Sequence, residues 1–172
     1  MKSVLVGLTL LLLMTGCGRD KTYTVAGLTK MLQDSDPAMR CTAAEQLGTY
    51  GAEAKPAVPE LTQALKDSDP TVRLAAAYAL AAIGLDAESA LPALTEMLKD
   101  QDVELRLAAV YAISAVGLTA PTALPALQQA QRDREERVRQ EATQAIRKLE
   151  AAAKYGSSAP AATDKKNAKV LP

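Results

Sequence analysis

The sequence predicts an all-α chain built from stacked two-helix units. Three observations predict it. The stretch Asp69–Gly84, DPTVRLAAAYALAAIG, reads as one complete helix with both ends marked. Its pattern returns every 33 residues: Asp36, Asp69, Asp102 and Glu135 fall in step, as do Arg40, Arg73, Arg106 and Arg139, and Gly51, Gly84 and Gly117. The chain is 48% apolar, yet it has no Phe and no Trp, so small and aliphatic side chains must fill the core. A fixed period over four copies points to repeats that shelter one another rather than to a single globular core.

In chain order, the first element is a targeting segment. Lys2 gives a positive start, and Val4 to Met14 is an apolar run too short for a spanning helix, which needs about 20 residues. Small residues Thr15 and Gly16 precede Cys17. The string LMTGC resembles the bacterial lipobox, with Met14 where that pattern usually has Leu. The resemblance implies a lipoprotein signal peptide over residues 1–16 and acylation of Cys17 as the first mature residue. Residues 17–23 then form the lipidated cysteine and a short polar tether. Two or three acyl chains hold a protein on a membrane stably, whereas one does not. By analogy with enterobacterial sorting, Gly18 rather than Asp after the cysteine leans toward the outer membrane, facing the periplasm.

Residues 24–150 hold the repeats. The first helix of each shows Val25/Leu28/Leu32, Val58/Leu61/Leu65, Leu91/Leu94/Leu98 and Leu124/Leu127, at helical spacing. Pro59, Pro92 and Pro125 sit near their starts, where proline is tolerated. The second helix is the one described above. Asp69 is placed to cap it, Pro70 to open it, and Gly84 to end it in a left-handed conformation. GAEAKPAVP, GLDAESALP and GLTAPTALP link successive repeats and are too short to be domains. After Glu150 the pattern stops. Residues 151–172, rich in Ala, Ser, Pro and Lys, predict a disordered tail. Its lysines make it mildly basic, suited to solubilising the chain or to touching anionic lipid or peptidoglycan.

DSDPTVRLAAAYALAAIG, followed by a turn and ALPALTEMLKD, resembles HEAT repeats of the short bacterial type also found in phycobilisome lyases. The resemblance covers about three quarters of the chain and is closest in the two middle copies. It implies a right-handed α-solenoid of four two-helix repeats whose second helices line a concave face. It also implies a ladder of acid–arginine pairs along the stack: Asp36/Arg40, Asp69/Arg73, Asp102/Arg106 and Glu135/Arg139. In each, the acid caps the second helix and the arginine bridges to the turn of a neighbouring repeat.

The face of the second helices opposite Val72, Ala76, Ala79 and Ile83 is the candidate binding surface. It carries Leu74, Tyr78 and Ala81 in repeat two and Leu107, Tyr111 and Ser114 in repeat three. Repeat one places Cys41, Glu45 and Gly48 there, and repeat four Gln140, Gln144 and Arg147. An apolar stripe on the middle copies fits a partner groove centred on Leu74, Tyr78, Leu107 and Tyr111. It equally fits leucines tucked between adjacent helices with tyrosines lying over alanines. Cys41, at the position of those leucines, reads as a small apolar residue.

Several classes are disfavoured. Lys plus Arg equals Asp plus Glu at 20 each, and removing residues 1–16 leaves 19 against 20, so charge gives no case for nucleic acid. There is no His, no nucleophile with a base at fixed spacing, no glycine-rich phosphate loop and no metal-ligand cluster. Two cysteines make no disulfide framework. No cofactor, metal or catalytic residue is therefore expected. The reading is a membrane-anchored, non-enzymatic scaffold that binds a protein partner in the cell envelope. A bilin lyase-like, chromophore-handling factor and a self-associating structural envelope protein are the alternatives.

Overall fold

The computed structural model describes residues 23–118, 120 and 122–156. The apolar leader, Cys17 and residues 157–172 lie outside the described residues.

Every regular element among the described residues is helical. The first helices are α1 (Val25–Met31), α3 (Val58–Ala64), α5 (Leu91–Met97) and α7 (Ala123–Ala130). Each is followed by a turn and a longer second helix: α2 (Pro37–Tyr50), α4 (Pro70–Ile83), α6 (Val103–Val116) and α8 (Glu136–Gly156). In α2, α4 and α6 the residue before the helix caps it. Asp36, Asp69 and Asp102 accept from the N–H groups of Ala38, Thr71 and Glu104 at 2.9, 2.8 and 2.9 Å, satisfying one orphan donor each.

The links between repeats are not plain loops. Gly51–Ala57 and Gly84–Ala90 are 3-10 helices that run straight into α3 and α5. Gly51 and Gly84 open them at φ 54°, ψ −131° and φ 73°, ψ −137°. The φ is positive, as the sequence suggests, but this ψ lies outside the left-handed helical region, in territory open mainly to glycine. Gly117 differs. Its φ is −93°, and it is required for space: a Cβ there would stand 2.3 Å from the Ala123 Cβ and 2.8 Å from the Ile113 carbonyl.

Burial follows the 33-residue step. Leu28, Leu61, Leu94 and Leu127 of the first helices are sealed from solvent, and so are Ala43, Ala76, Ala109 and Ala142 of the second helices. Val72, Leu105 and Val138 are equally buried, while Met39, their counterpart in the first copy, is exposed, with no earlier repeat among the described residues to cover it. Small residues let the second helices close in on one another. Gly48 of α2 backs directly onto the Ala79 backbone of α4, 3.4 Å from the position of a Cβ. Successive second helices touch along their length, whereas successive first helices meet chiefly through the 3-10 segments between them. The closer-spaced layer is the inside of the curve, so the second helices form the inner face of an α-solenoid.

The chain does not leave the helix at Glu150. The last second helix continues to Gly156, so the start of the expected disordered tail, residues 151–156, is helical. The reason is local. Glu150 stands where Gly51, Gly84 and Gly117 end the other second helices, and the following AAAK is strongly helix-forming.

Candidate functional site

Two arrangements on the solenoid are candidates, one at the turns and one on the inner face.

At the turns, the arginines of the second helices reach into the next repeat. Arg40 grips Asp67 with two parallel bonds of 2.7 Å, from Nε and Nη2, while its Nη1 donates to the carbonyls of Asp34 and Ser35. Arg106 holds Asp133 in the same way at 2.8 and 3.0 Å and donates to the carbonyls of Asp100 and Gln101. Between them, Arg73 meets Asp100 through Nη2 alone at 3.4 Å, and its buried Nε has no acceptor. Arg139 donates to the carbonyls of Asp133 and Arg134. The paired carboxylates are thus not the capping residues four positions before each arginine. They are Asp67, Asp100 and Asp133, which with Asp34 form a further series at the 33-residue step.

Each of these four acids also orders its own turn. Asp34, Asp67, Asp100 and Asp133 accept from the N–H two residues on, at 2.8 to 2.9 Å. One carboxylate therefore shapes the turn of its own repeat, and in the last three copies it also receives the previous repeat's arginine. The Arg40 guanidinium holds the Asp67 carboxyl below the usual carboxylate range. At Asp133, burial pushes the carboxyl up, but Arg106 and the Glu135 N–H outweigh it and the net shift is down. At Glu135 the hydrogen bonds described run through the backbone: its N–H to Asp133 and its carbonyl to the Arg139 N–H. The bonds described for the ladder all turn on the protein itself, so this row is a brace.

On the inner face, Tyr78 of α4 and Tyr111 of α6 lie side by side. Their ring centroids are 5.9 Å apart with planes inclined at 57°, a tilted geometry favoured by aromatic pairs. Each remains about half exposed, at 49%. Leu74 and Leu107 are partly buried and pack against the core beside them. The structure therefore joins the two readings of the stripe: the leucines tuck between helices, and the tyrosines stand up from the surface. Ala81 and Ser114 do not belong to it. Both are buried, at 8% and 5%, and Ser114 Oγ donates to the Tyr111 carbonyl. The row in repeat two runs from half-buried Leu74 to exposed Tyr78 and Ala82, since steps of four residues drift slowly round a helix while a step of three falls behind it.

A concavity opens on each side of the tyrosine pair. One, of about 490 Å³, lies between α2 and α4 and is lined by Cys41, Glu45, Gly48, Thr71, Leu74, Tyr78 and Ala82, among others. The other, of about 470 Å³, lies between α6 and α8 and is lined by Tyr78, Glu104, Leu107, Tyr111, Arg137, Gln140, Glu141 and Gln144. Tyr78 borders both. Arg137 and Glu104 pair at 2.8 Å across the second. Burial, then the neighbouring Glu45, pushes the Cys41 thiol up, so it rests as an uncharged S–H. Glu104, Arg137 and Glu141 were not evident as groove residues in the sequence. The 33-residue step from Glu104 to Arg137 was the available signal. Arg147, on the polar side of α8, is exposed but lines neither concavity.

Among the described residues no group of three or more His, Cys, Asp and Glu is placed to hold a metal ion. The groove offers two aromatic faces, a shallow apolar floor and a few carboxylates and amides, all on rigid helices.

The family model for HEAT repeats matches residues 25–100 and 58–147. No curated protein matches the sequence. Among solved structures, an engineered protein superposes with a TM-score of 0.62 at 24% identity, covering 74% of this chain and 63% of its own. A designed armadillo repeat protein, solved in complex with the peptide (KR)4, gives 0.64 at 22% identity, covering 73% and 64%. The complex of CpcE and CpcF of phycocyanin lyase from a Nostoc species gives 0.56 at 22% identity, covering 84% and 71%. The chain thus spans a little under two thirds of the two engineered solenoids. At these identities the likeness is one of fold.

Proposed function

Because the chain belongs to the HEAT-repeat family, we propose that it is a non-catalytic scaffold that holds a protein partner in the groove of its second helices. The observation that carries this reading is the pair of touching, half-exposed tyrosines between two concavities. A solenoid buries its own apolar surface between repeats, so aromatic side chains left standing on its inner face have no structural task there. The solved structures support the class of partner: one similar solenoid was crystallised with a peptide and another is half of a protein complex. The absence of His from the whole sequence supports binding over catalysis.

The proposal extends to location. LMTGC and the short apolar run before it support a lipid on Cys17, which fixes the scaffold in the cell envelope, with the outer membrane facing the periplasm as the favoured site. Mass spectrometry of the mature N-terminus tests this: a diacylglycerol-modified Cys17 supports the anchor, and an unmodified N-terminus elsewhere removes it.

The binding reading is tested by pull-down from solubilised envelope. The variant Tyr78→Ser/Tyr111→Ser is expected to lose the specific partner while its melting temperature falls by no more than about 4 °C, because each ring is half exposed. Undiminished capture by that variant would defeat the proposal. A second reading, chromophore handling, has the likeness to the phycocyanin lyase complex in its favour. A spectral titration with bilin that leaves the absorption unchanged removes it.

A further inference from the structure

The balance of charge over the whole sequence conceals a division. Residues 23–156 hold fourteen lysines and arginines against eighteen aspartates and glutamates, so the solenoid is acidic and the compensating cations lie in the flanking segments. The groove shares that sign. Its lining carries Glu45 on the α2 side and Glu104, Glu141 and Arg137 on the α8 side. Arg137 is taken by Glu104. Among the described residues Glu45 and Glu141 have no ion pair, and they stand on opposite sides of the tyrosine pair.

Resting on the reading of the groove as a partner site, we infer that its occupant is an extended segment of positive charge, with lysine or arginine at alternate positions. The chemistry and the spacing agree. Each half-exposed tyrosine presents an electron-rich face to a passing cation, a contact favoured over an anion by the ring quadrupole. Side chains on one face of an extended chain repeat every ~6.6 Å, close to the 5.9 Å between the ring centroids. Two alternate cationic side chains can therefore meet the two rings while flanking ones reach Glu45 and Glu141. Gln140 and Gln144 border the same concavity and can bond the backbone of such a segment, which in extended form has free N–H and C=O groups. A negatively charged segment would face two uncompensated carboxylates instead, and like-charge juxtaposition is costly.

The test uses the full chain and fluorescent peptides with lysine, glutamine or glutamate at alternate positions, read by anisotropy at low and high salt. The lysine peptide is expected to bind, to weaken with salt, and to lose about five- to tenfold in affinity with Glu45→Gln/Glu141→Gln. Tyr78→Ser/Tyr111→Ser is expected to lose a similar factor. Binding that emerges only after Lys165, Lys166 and Lys169 are changed to Gln identifies the chain's own tail as a competing basic occupant and supports the same chemistry. Preference for the glutamate peptide, indifference to charge, or no binding by either the wild type or the tail variant overturns the inference. Charge indifference with a loss in the tyrosine variant leaves the groove as a partner site. Equal peptide binding and equal envelope capture by the tyrosine variant removes the groove itself.

Discussion

Arg106 is 3% exposed, and its bidentate hold on Asp133 crosses from one repeat to the next. Removing one member of a buried pair leaves the other uncompensated, so Arg106→Ala is expected to cost about 3 kcal/mol. Arg73 keeps its bonds to the Asp67 and Ser68 carbonyls but meets its carboxylate only once, at 3.4 Å, with an unpartnered Nε, so Arg73→Ala is expected to cost less, about 1 kcal/mol. Urea denaturation of the two variants checks the order; equal losses would mean that the bidentate geometry is not what matters. The same carboxylates set the response to acid. Asp67 and Asp133 have folded values below their ordinary ones. Their contribution is present in full above about pH 4 and is lost as pH falls through the folded values. Melting temperature is therefore expected to fall steeply below about pH 4, and less steeply in Asp67→Asn. At this scale the sequence was partly legible. The 33-residue rhythm exposed the arginines and the caps, and the resemblance sent each arginine to the turn of a neighbouring repeat without naming the carboxylate that receives it. The true partner lies 27 residues on, in the next turn, a contact that only the stacking of repeats brings about. Its trace was nonetheless present, in the step from Asp34 to Asp67, Asp100 and Asp133.

The helices themselves were legible because each boundary has a chemical cause. Asp before the second helix, proline near the start of the first, and glycine after Tyr50 or Ile83 all act locally, and local causes can be read from local sequence. The links were less so. Seven residues such as GLDAESA carry no strong pattern, yet they wind into short 3-10 turns with a kink at Ala87, because short links between tightly stacked helices favour the tighter turn. The third link ends differently, and there Gly117 is held by crowding rather than by its φ. Gly117→Ala is accordingly expected to lower stability by about 2 kcal/mol through overpacking against Ala123. A melting temperature equal to the wild type would show that α7 moves away freely. The long last helix repeats the lesson in reverse: where glycine is replaced by Glu150, nothing local ends the helix before Gly156.

Over the whole molecule, repeats one and four differ from the middle pair. α8 presents Glu136, Gln140, Gln144, Arg147 and Lys148 to solvent, so the groove turns polar where it reaches the fourth repeat. The touching aromatic pair stands at the middle of the inner face. Its placement there was legible from the register of Leu74, Tyr78, Leu107 and Tyr111, but its shape was not. Whether a side chain at helical spacing is tucked in or stands out depends on how closely the neighbouring helix approaches, and that is fixed by residues such as Gly48 and Ala79 on the opposing surfaces. The central claim is that a partner lies across the second helices at this point. Site-specific photocrosslinking in intact cells tests it most directly, with a photoreactive residue at Tyr78 and, as control, at the exposed Glu96 of α5 on the other layer. The account predicts a discrete adduct from position 78 and none from 96. An adduct from 96 alone, or the same adducts from both, would contradict it.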